Sequence, residues 1–558
     1  MAHLFTPRWQ PPATSLRDAL FVISGSALIT HLVFKRYEPL AIPVVASLLL
    51  IPPLALSFLL ASHLDLLSAV FATLAVHNGI LLASIACYRL SPFHPLARYP
   101  GPILLKLSAW WMYCNARGGK RHEYVQQLHT RYKADVIRIG PNELSICDPT
   151  AVVPILGPHG LTKGPAWDGH FPHTEFRPLI SWRDSDTHAK ARRPWNRAFS
   201  TAAVKEYEPT LAKRVAQLVD LVKKFAAKSG REKKVDMTLL FKYFSFDFMG
   251  DMAFGGGTEL MRDGDPMGII PKMRKSIDSG VMAEICPWFR YYVPDYFQEF
   301  TQMCVLRAQE RIKNVATTKD VFHYLNNDDV DLAPPNPIMV VTEGSLVVVA
   351  GSDTVSATLS SILWCLLMNP DAYRRLQQEI DQCYPAGQDA LDCAYSVEMK
   401  YLDAVINETM RLYPVVPSGD QRATKDKGMT VNSTYIPPYT SVRLHTWTMH
   451  RDPCNFYPFP TSFWPDRWLL CQVPTAKYPK DFVHNTDAFH PFSYGPTGCV
   501  GKNLAMKELR MVLCGLLQQV DVAFPKGYDP LEWERGLKDP FTLQTGPLEV
   551  LLKVRRKV

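Results

Sequence analysis

Phe492-Ser493-Tyr494-Gly495-Pro496-Thr497-Gly498-Cys499-Val500-Gly501 runs on into Lys502-Asn503-Leu504-Ala505, and these residues set the terms for the rest of the chain. Glycines and a proline crowd the backbone around a single cysteine, and a helix-patterned segment follows directly, to about Val520. A cysteine at a helix start lies among N–H groups that lack partners within the helix and stabilise negative charge. A thiolate is favoured there over a thiol. N–H groups aimed at the sulfur would also tune how strongly it donates to a metal. Gly498 and Gly501 leave room for a flat ligand to lie close against the chain. Taken alone, the segment admits two readings: a metal-ligating thiolate, or a structural cysteine that starts a helix.

Working outward, Ala350-Gly351-Ser352-Asp353-Thr354 interrupts an apolar run whose pattern predicts a helix from Glu343 to Leu367. An acid and a hydroxyl are costly in such a place unless they are used. Ser and Thr can bond back to the carbonyl four residues earlier, and a glycine loosens the same turn. The plain alternative is a kinked helix that shows Asp353 to solvent. A second helix, predicted over Ser396 to Leu412, carries Glu408 and Arg411 three residues apart and so on one face. An exposed pair of that kind contributes only about a few tenths of a kcal/mol. Further on come Phe463-Trp464-Pro465-Asp466-Arg467-Trp468 and, upstream, His188-Ala189-Lys190-Ala191-Arg192-Arg193 with Phe199 beyond. Arg422 follows the stretch Pro414 to Gly419.

These segments, in this order, resemble the cytochrome P-450 family from about Tyr99 to the C-terminus. Phe492, Gly495, Cys499 and Gly501 fall on its loop pattern F-x-x-G-x-R-x-C-x-G, with Thr497 where the arginine is usual. The resemblance implies that Cys499 is the axial thiolate ligand of heme b iron, with Phe492 and Gly501 among the cofactor-binding residues. It makes Asp353 and Thr354, on the family's A-G-x-D-T signature, the catalytic pair that handles dioxygen and its protons. Arg192 matches the arginine of W-x-x-x-R and would hold a haem propionate, with His188 in the tryptophan's place as a second donor. Arg422 is the candidate to fill the gap left at Thr497. Glu408, Arg411 and Arg467 become a structural network under the haem loop.

Composition fits this picture. Of 558 residues 47% are hydrophobic and 20% charged, enough apolar material for a deep core. The net charge of +8 is modest, and no basic run is interleaved with aromatics, so a nucleic-acid partner is not expected. The twelve cysteines are scattered singly, which argues against a disulfide framework or a zinc module. Three apolar stretches, Ala19 to Phe34, Pro39 to Ala61 and Leu66 to Tyr88, suit a membrane. The first is short, and Pro43, Pro52 and Pro53 are expected to kink the second. The resulting division is a membrane anchor at 1–90 with one to three transmembrane helices, a proline-rich hinge at 91–102, and a haem-binding catalytic domain at 103–558. Lys35 and Arg36, then Arg89 and Arg98, place that domain in the cytosol at the endoplasmic reticulum membrane by the positive-inside rule.

Short strands are predicted at Val136 to Ile139, Leu144 to Ile146 and Leu548 to Val554, giving a fold that is mainly α with small β-sheets, preceded by transmembrane segments. The implied activity is that of a monooxygenase inserting one oxygen atom from O2 into a lipophilic small molecule. Electrons come from an NADPH-cytochrome reductase, with cytochrome b5 a further candidate partner; Lys502, Lys507 and Arg510 are candidates to attract it. The multi-span anchor and the hinge His94 to Pro102 resemble fungal members of the family, which favours a terpenoid substrate within secondary metabolism. Pro165 to Pro172, Val415 to Gly419 and Phe541 to Leu543 are expected to shape the substrate pocket. The alternatives are a haem-thiolate isomerase or dehydratase of the same fold, and a non-catalytic haem-binding protein. Asp353 and Thr354 speak against both.

Overall fold

Ser15 accepts the N–H of Asp18 at 3.1 Å and opens the helix Leu16–Tyr37. This helix is longer than its apolar stretch, because the cap lies upstream of the first apolar residue and Lys35 and Arg36 fill a last turn that favours cations. The second stretch forms Ile42–Leu56 and one tighter turn, Ser57–Leu59. Pro43 occupies its first turn, where no N–H partner is needed, and the helix continues through Pro52 and Pro53. Asp65 accepts the N–H of Ser68 and starts the third, Leu66–Leu90. The computed structural model describes residues 14–39, 41–170, 176–228, 234–256, 258–287, 289, 298–313, 319–385, 387–392, 398–472 and 481–555. It divides into two compact units, Met1–Ala109 and Trp110–Val558.

Within the first unit, residues four apart turn one face of each helix inward. Ala19, Ile23 and Ala27, with Thr30, are buried on the first helix, and Ala69, Thr73, His77 and Leu81 on the third. Small side chains let the helices approach closely, and polar groups bridge them: Ser84 Oγ lies 3.0 Å from His31 Nδ1, and Ser26 Oγ 3.5 Å from His77 Nε2. Phe21, Leu32, Leu67, Phe71 and Leu82 point outward and exposed. All three helices have the length and hydropathy to cross a bilayer. A fourth helix, Pro337–Met368, passes the same test, but 67% of its apolar window is buried, against 22% or less in the other three. It is the core of the second unit, whereas the first three, with their apolar faces exposed, have the character of a membrane anchor.

That central helix starts at Asn336, whose side chain accepts the N–H of Ile338, with Pro337 in the first turn. It packs along the helix Met237–Phe254. Two of its glycines make the close approach possible. A Cβ on Gly351 would stand 2.5 Å from the Met249 sulfur, and one on Gly344 2.7 Å from the Phe254 ring. Around this pair lie further helices, among them Ala166–His170, Ser185–Ala198, Ile269–Ile285, Lys400–Leu412 and Lys502–Gln519. The start expected for the fourth of these, Ser396, lies outside the described residues.

The sheets are small. One has five strands in the order Val136–Gly140, Glu143–Ile146, Ser441–Leu444, Gln421–Ala423 and Thr162–Lys163. Its edge pairing is antiparallel and sets Lys163 directly opposite Arg422. A second sheet joins Val520–Ala523, Glu549–Val554 and Val235–Asp236. The architecture is mainly α with small β-sheets.

Candidate active site

Cys499 lines a cavity of about 610 Å³ bounded by the central helix, the helices Ala166–His170 and Ile269–Ile285, and the loop Pro414 to Gly419. The loop that carries it is fixed from within. The Cys499 N–H donates to the Phe492 carbonyl at 2.8 Å, and the Gly498 N–H to that of Gly495 at 3.0 Å. Gly495 has φ of +71°, and a Cβ there would stand 2.2 Å from the Leu156 carbonyl oxygen, so only glycine fits. Gly501 caps the following helix. A Cβ on it would be in ordinary contact with Phe199 at 3.7 Å and the Cys499 sulfur at 3.9 Å, so the glycine keeps the space beside the sulfur open. Phe492 lines the cavity from the same loop.

The accessible surface of Cys499 opens into this cavity. Protein surrounds the residue closely enough that burial is the largest influence on its thiol and pushes the pKa up. The N–H of Gly501, the Arg192 guanidinium and the N–H of Lys502 pull the other way. Coordination to a metal removes such a thiol proton outright.

Positive groups gather on the adjoining wall. Lys163, His188 and Arg192 line the cavity, and Arg422 is buried behind them. Burial and then the Arg422 charge bring Lys163 down to about 7. Burial and then Lys163, Arg192 and Arg422 bring His188 down to about 4, so its ring is neutral. Asp420 approaches that guanidinium only to 4.0 Å. Arg422 donates through Nη2 to the Thr497 hydroxyl at 2.7 Å, whereas its buried Nη1 has no hydrogen-bond partner. A buried guanidinium nitrogen without an acceptor is costly, and a carboxylate is the acceptor its geometry suits. The wall therefore fits the anionic edge of a haem.

Asp353 and Thr354 also line the cavity, on a helix that stays continuous through Ala350 to Thr354. The Thr354 hydroxyl donates to the Ala350 carbonyl at 2.8 Å, one turn back. Asp353 is not turned out to solvent. Its Oδ2 accepts the Thr542 hydroxyl, and burial raises its pKa against the pull of Thr542, Lys242 and Arg274.

Glu408, Arg411 and Arg467 meet in the interior, all fully buried. Arg411 forks onto both Glu408 oxygens at 2.9 and 2.8 Å, and Arg467 Nε reaches Oε1 at 3.1 Å. The N–H of Trp464 and the indole of Trp468 complete the carboxylate's partners at 3.0 Å each. Arg411 also donates to the carbonyls of His450, Pro460 and Ser462. The network thus ties the helix to residues 450–468 by backbone as well as by charge.

Other expectations are placed less simply. Lys507 is paired with Glu208 and Arg510 with Asp403, so two of the three cations offered for partner attraction are already neutralised. Val415, Val416 and Gly419 line the cavity, as do Phe541 and Thr542. Trp167 and His170 line it from Pro165 to Pro172, the last two residues of which lie outside the described residues. Lys163 carries no motif of its own, and only the strand pairing with Arg422 brings it to the site. Thr542 lies in the expected stretch Phe541 to Leu543, but nothing in the chain pattern pairs it with Asp353.

A cysteine loop and an acid-bearing helix on one cavity, with a buried Glu-Arg-Arg network in the same unit, are the features the resemblance to haem-thiolate enzymes implies. A family model described as Cytochrome P450 matches residues 100–552, and the chain belongs to that family. It is 35% identical over 494 residues to Cytochrome P450 monooxygenase FCK2 of Fusarium pseudograminearum, covering 87% of this chain and 86% of that protein. Cytochrome P450 monooxygenase orf5 of Eupenicillium brefeldianum is 31% identical over 86% of this chain and 95% of its own length. Tryprostatin B 6-hydroxylase of Aspergillus fumigatus is 28% identical over 88% and 86%. The protein is a cytochrome P450 monooxygenase, an oxidoreductase of a family that carries haem iron on a cysteine thiolate and draws electrons from a redox partner.

Proposed function

We propose that Cys499 is the axial ligand of heme b, and that the enzyme inserts one oxygen atom from O2 into a lipophilic small molecule. The observation that carries this is the position of the Cys499 sulfur, in one cavity with Asp353 and beside a wall of cations short of an anion. When bound, haem supplies the activation of dioxygen, and thiolate donation favours O–O cleavage. The chain's own residues do the rest. Arg192 and Arg422 would hold the propionate oxygens, Lys163 and neutral His188 would donate alongside them, and Phe492 and Gly501 would contribute to the haem site. Asp353, oriented by Thr542, holds a proton at its carboxyl and passes it into the cavity, and the lone pairs of the Thr354 oxygen receive it. Glu408, Arg411 and Arg467 hold the chain under the cysteine loop. A peroxide isomerase or dehydratase has no use for that acid and hydroxyl.

The largely apolar cavity and the membrane anchor favour a substrate that partitions into the bilayer, and we assign it to the terpenoids of fungal secondary metabolism. With three spans, Lys35 and Arg36 after the first and Arg89 and Arg98 after the third fall on the same side, which supports a catalytic domain at 103–558 facing the cytosol at the endoplasmic reticulum. There an NADPH-cytochrome reductase, and cytochrome b5, reach it past the hinge at 91–102. The test is turnover of the full-length enzyme with reductase, NADPH and a panel of terpenoids and fungal extracts. Products heavier by one oxygen atom, with matched NADPH consumption, are the expected result. Consumption of no NADPH with any substrate contradicts it.

A further inference from the structure

Asp353 lines two cavities, the large one it shares with Cys499 and a small chamber of about 20 Å³. Among the described residues it is the only one common to both. Lys242, Arg274, Ser352, Ser356 and Gln544 supply the rest of the chamber's polar wall. A space of that size has room for one water molecule. Its deep end also has the chemistry to bind one. Ser and Thr inside a helix commonly bond back to a carbonyl one turn earlier, and Ser345, Thr354, Ser360 and Ser361 of the central helix all do so. Ser356 likewise donates to the Asp353 carbonyl at 3.2 Å. Ser352 differs: it is 3% exposed, and its hydroxyl has no hydrogen-bond partner among the described residues. A buried hydroxyl in that position is costly unless an ordered water answers it. The Asp353 carboxyl stands in the same wall, and Thr542 holds only its Oδ2. Gln544 is already engaged, taking Arg274 Nε at 2.8 Å and donating to Asp278 at 3.0 Å. Lys242 is half-buried, and it and Asp353 are among the charges that act on each other. Burial, and then Arg274, lower the Lys242 pKa, so its ammonium releases a proton more readily; Asp353 and Asp236 pull the other way.

We propose that this chamber is a proton inlet to Asp353, in which one water bridges the Ser352 hydroxyl and the free side of the carboxylate, and Lys242 reloads it. After Asp353 has passed its proton into the large cavity, the water gives a proton to the carboxylate and takes one from the Lys242 ammonium. One N–H bond breaks, one O–H bond forms on Asp353, and the amine recovers its proton from solvent. Lys242 and Ser352 act through Asp353 and are positioning residues. The assignment rests on the reading of Asp353 as the proton carrier of the monooxygenase.

The test has two arms. A high-resolution structure of the full-length enzyme is expected to show a water within hydrogen-bond distance of both Ser352 Oγ and the Asp353 carboxyl, and a dry chamber overturns the proposal. The second arm is NADPH consumption by the haem-loaded full-length enzyme with reductase, in H2O and in D2O, with farnesol as the probe. Variants are compared at an unchanged carbon-monoxide spectrum, which shows that they fold. Ser352→Ala and Lys242→Met are expected to slow consumption about tenfold and to raise the solvent isotope effect. The loss is smaller than that for Asp353→Asn, because water in the large cavity still reaches the carboxyl. Lys242→His, which can carry a proton, is expected to recover part of the rate. Lys242→Arg keeps the charge but holds its proton, and is expected to be as slow as Lys242→Met. Wild-type rates in Ser352→Ala and Lys242→Met overturn the proposal, and so does a wild-type rate in Lys242→Arg. If Asp353→Asn is equally fast, or the wild type consumes no NADPH, the proton-carrier reading has failed with it. With Asp353→Asn slow, only the inlet has.

Discussion

Arg422 meets Thr497 across 2.7 Å, its Nη2 donating to the hydroxyl. The pairing puts a guanidinium, delivered by a strand, against the very position where the family pattern has an arginine in the loop. Two features make it more than a surface contact. Arg422 is 1% exposed, and its other terminal nitrogen is buried without an acceptor. A guanidinium from elsewhere in the chain thus reaches the loop position where the family pattern has an arginine.

Arg422→Met removes that guanidinium while keeping most of the stem. Haem retention is expected to fall, read as the ratio of Soret to protein absorbance after gel filtration. Thr497→Val leaves a further Arg422 N–H without an acceptor, which costs about 1–3 kcal/mol. It is expected to lower Tm more than to release haem. Undiminished haem in Arg422→Met contradicts the propionate role.

Asp353→Asn keeps the shape and the contact with Thr542 but cannot carry a proton. Product formation is expected to fall about 100-fold, in the range of a lost general acid. The carbon-monoxide spectrum and substrate-induced shifts are expected to be unchanged. A rate within a few-fold of wild type removes Asp353 from the proton path.

Glu343 lies buried on the central helix and accepts the Leu179 N–H at 3.0 Å. Burial pushes its pKa up from an ordinary 4.5 to about 8, in spite of that hydrogen bond. The folded state therefore binds this proton more tightly than the unfolded state. The stability it contributes is complete below pH 4.5 and is lost as pH rises through about 8. Thermal unfolding of Glu343→Gln is expected to lose less Tm than wild type between pH 5.5 and pH 8. Parallel profiles contradict this.

Much of the site could be read along the chain because it is local. The cysteine loop, the Asp353-Thr354 turn, and Glu408 with Arg411 each lie within one element, where spacing decides what meets. The helix period also gave Pro337–Met368 to within one residue at its end, but its start was missed by six residues, since the cap Asn336 and Pro337 sit in an acidic, proline-bearing stretch that looks like a loop. What spacing could not give is whatever strand pairing or burial brings together. Lys163 reaches Arg422 only through an edge pairing of two short strands, and Thr542 reaches Asp353 from near the other end of the chain. Arg121, Glu284 and Arg443 converge from three separate elements, and no motif announces them.

The central claim is that the Cys499 sulfur ligates haem iron, and one spectrum tests it most directly. The reduced, carbon-monoxide-bound full-length protein is predicted to show the red-shifted Soret band of thiolate-ligated haem, and Cys499→Ala is predicted to abolish that band. An unshifted band in folded wild type, or a shifted band that persists in Cys499→Ala, would contradict it.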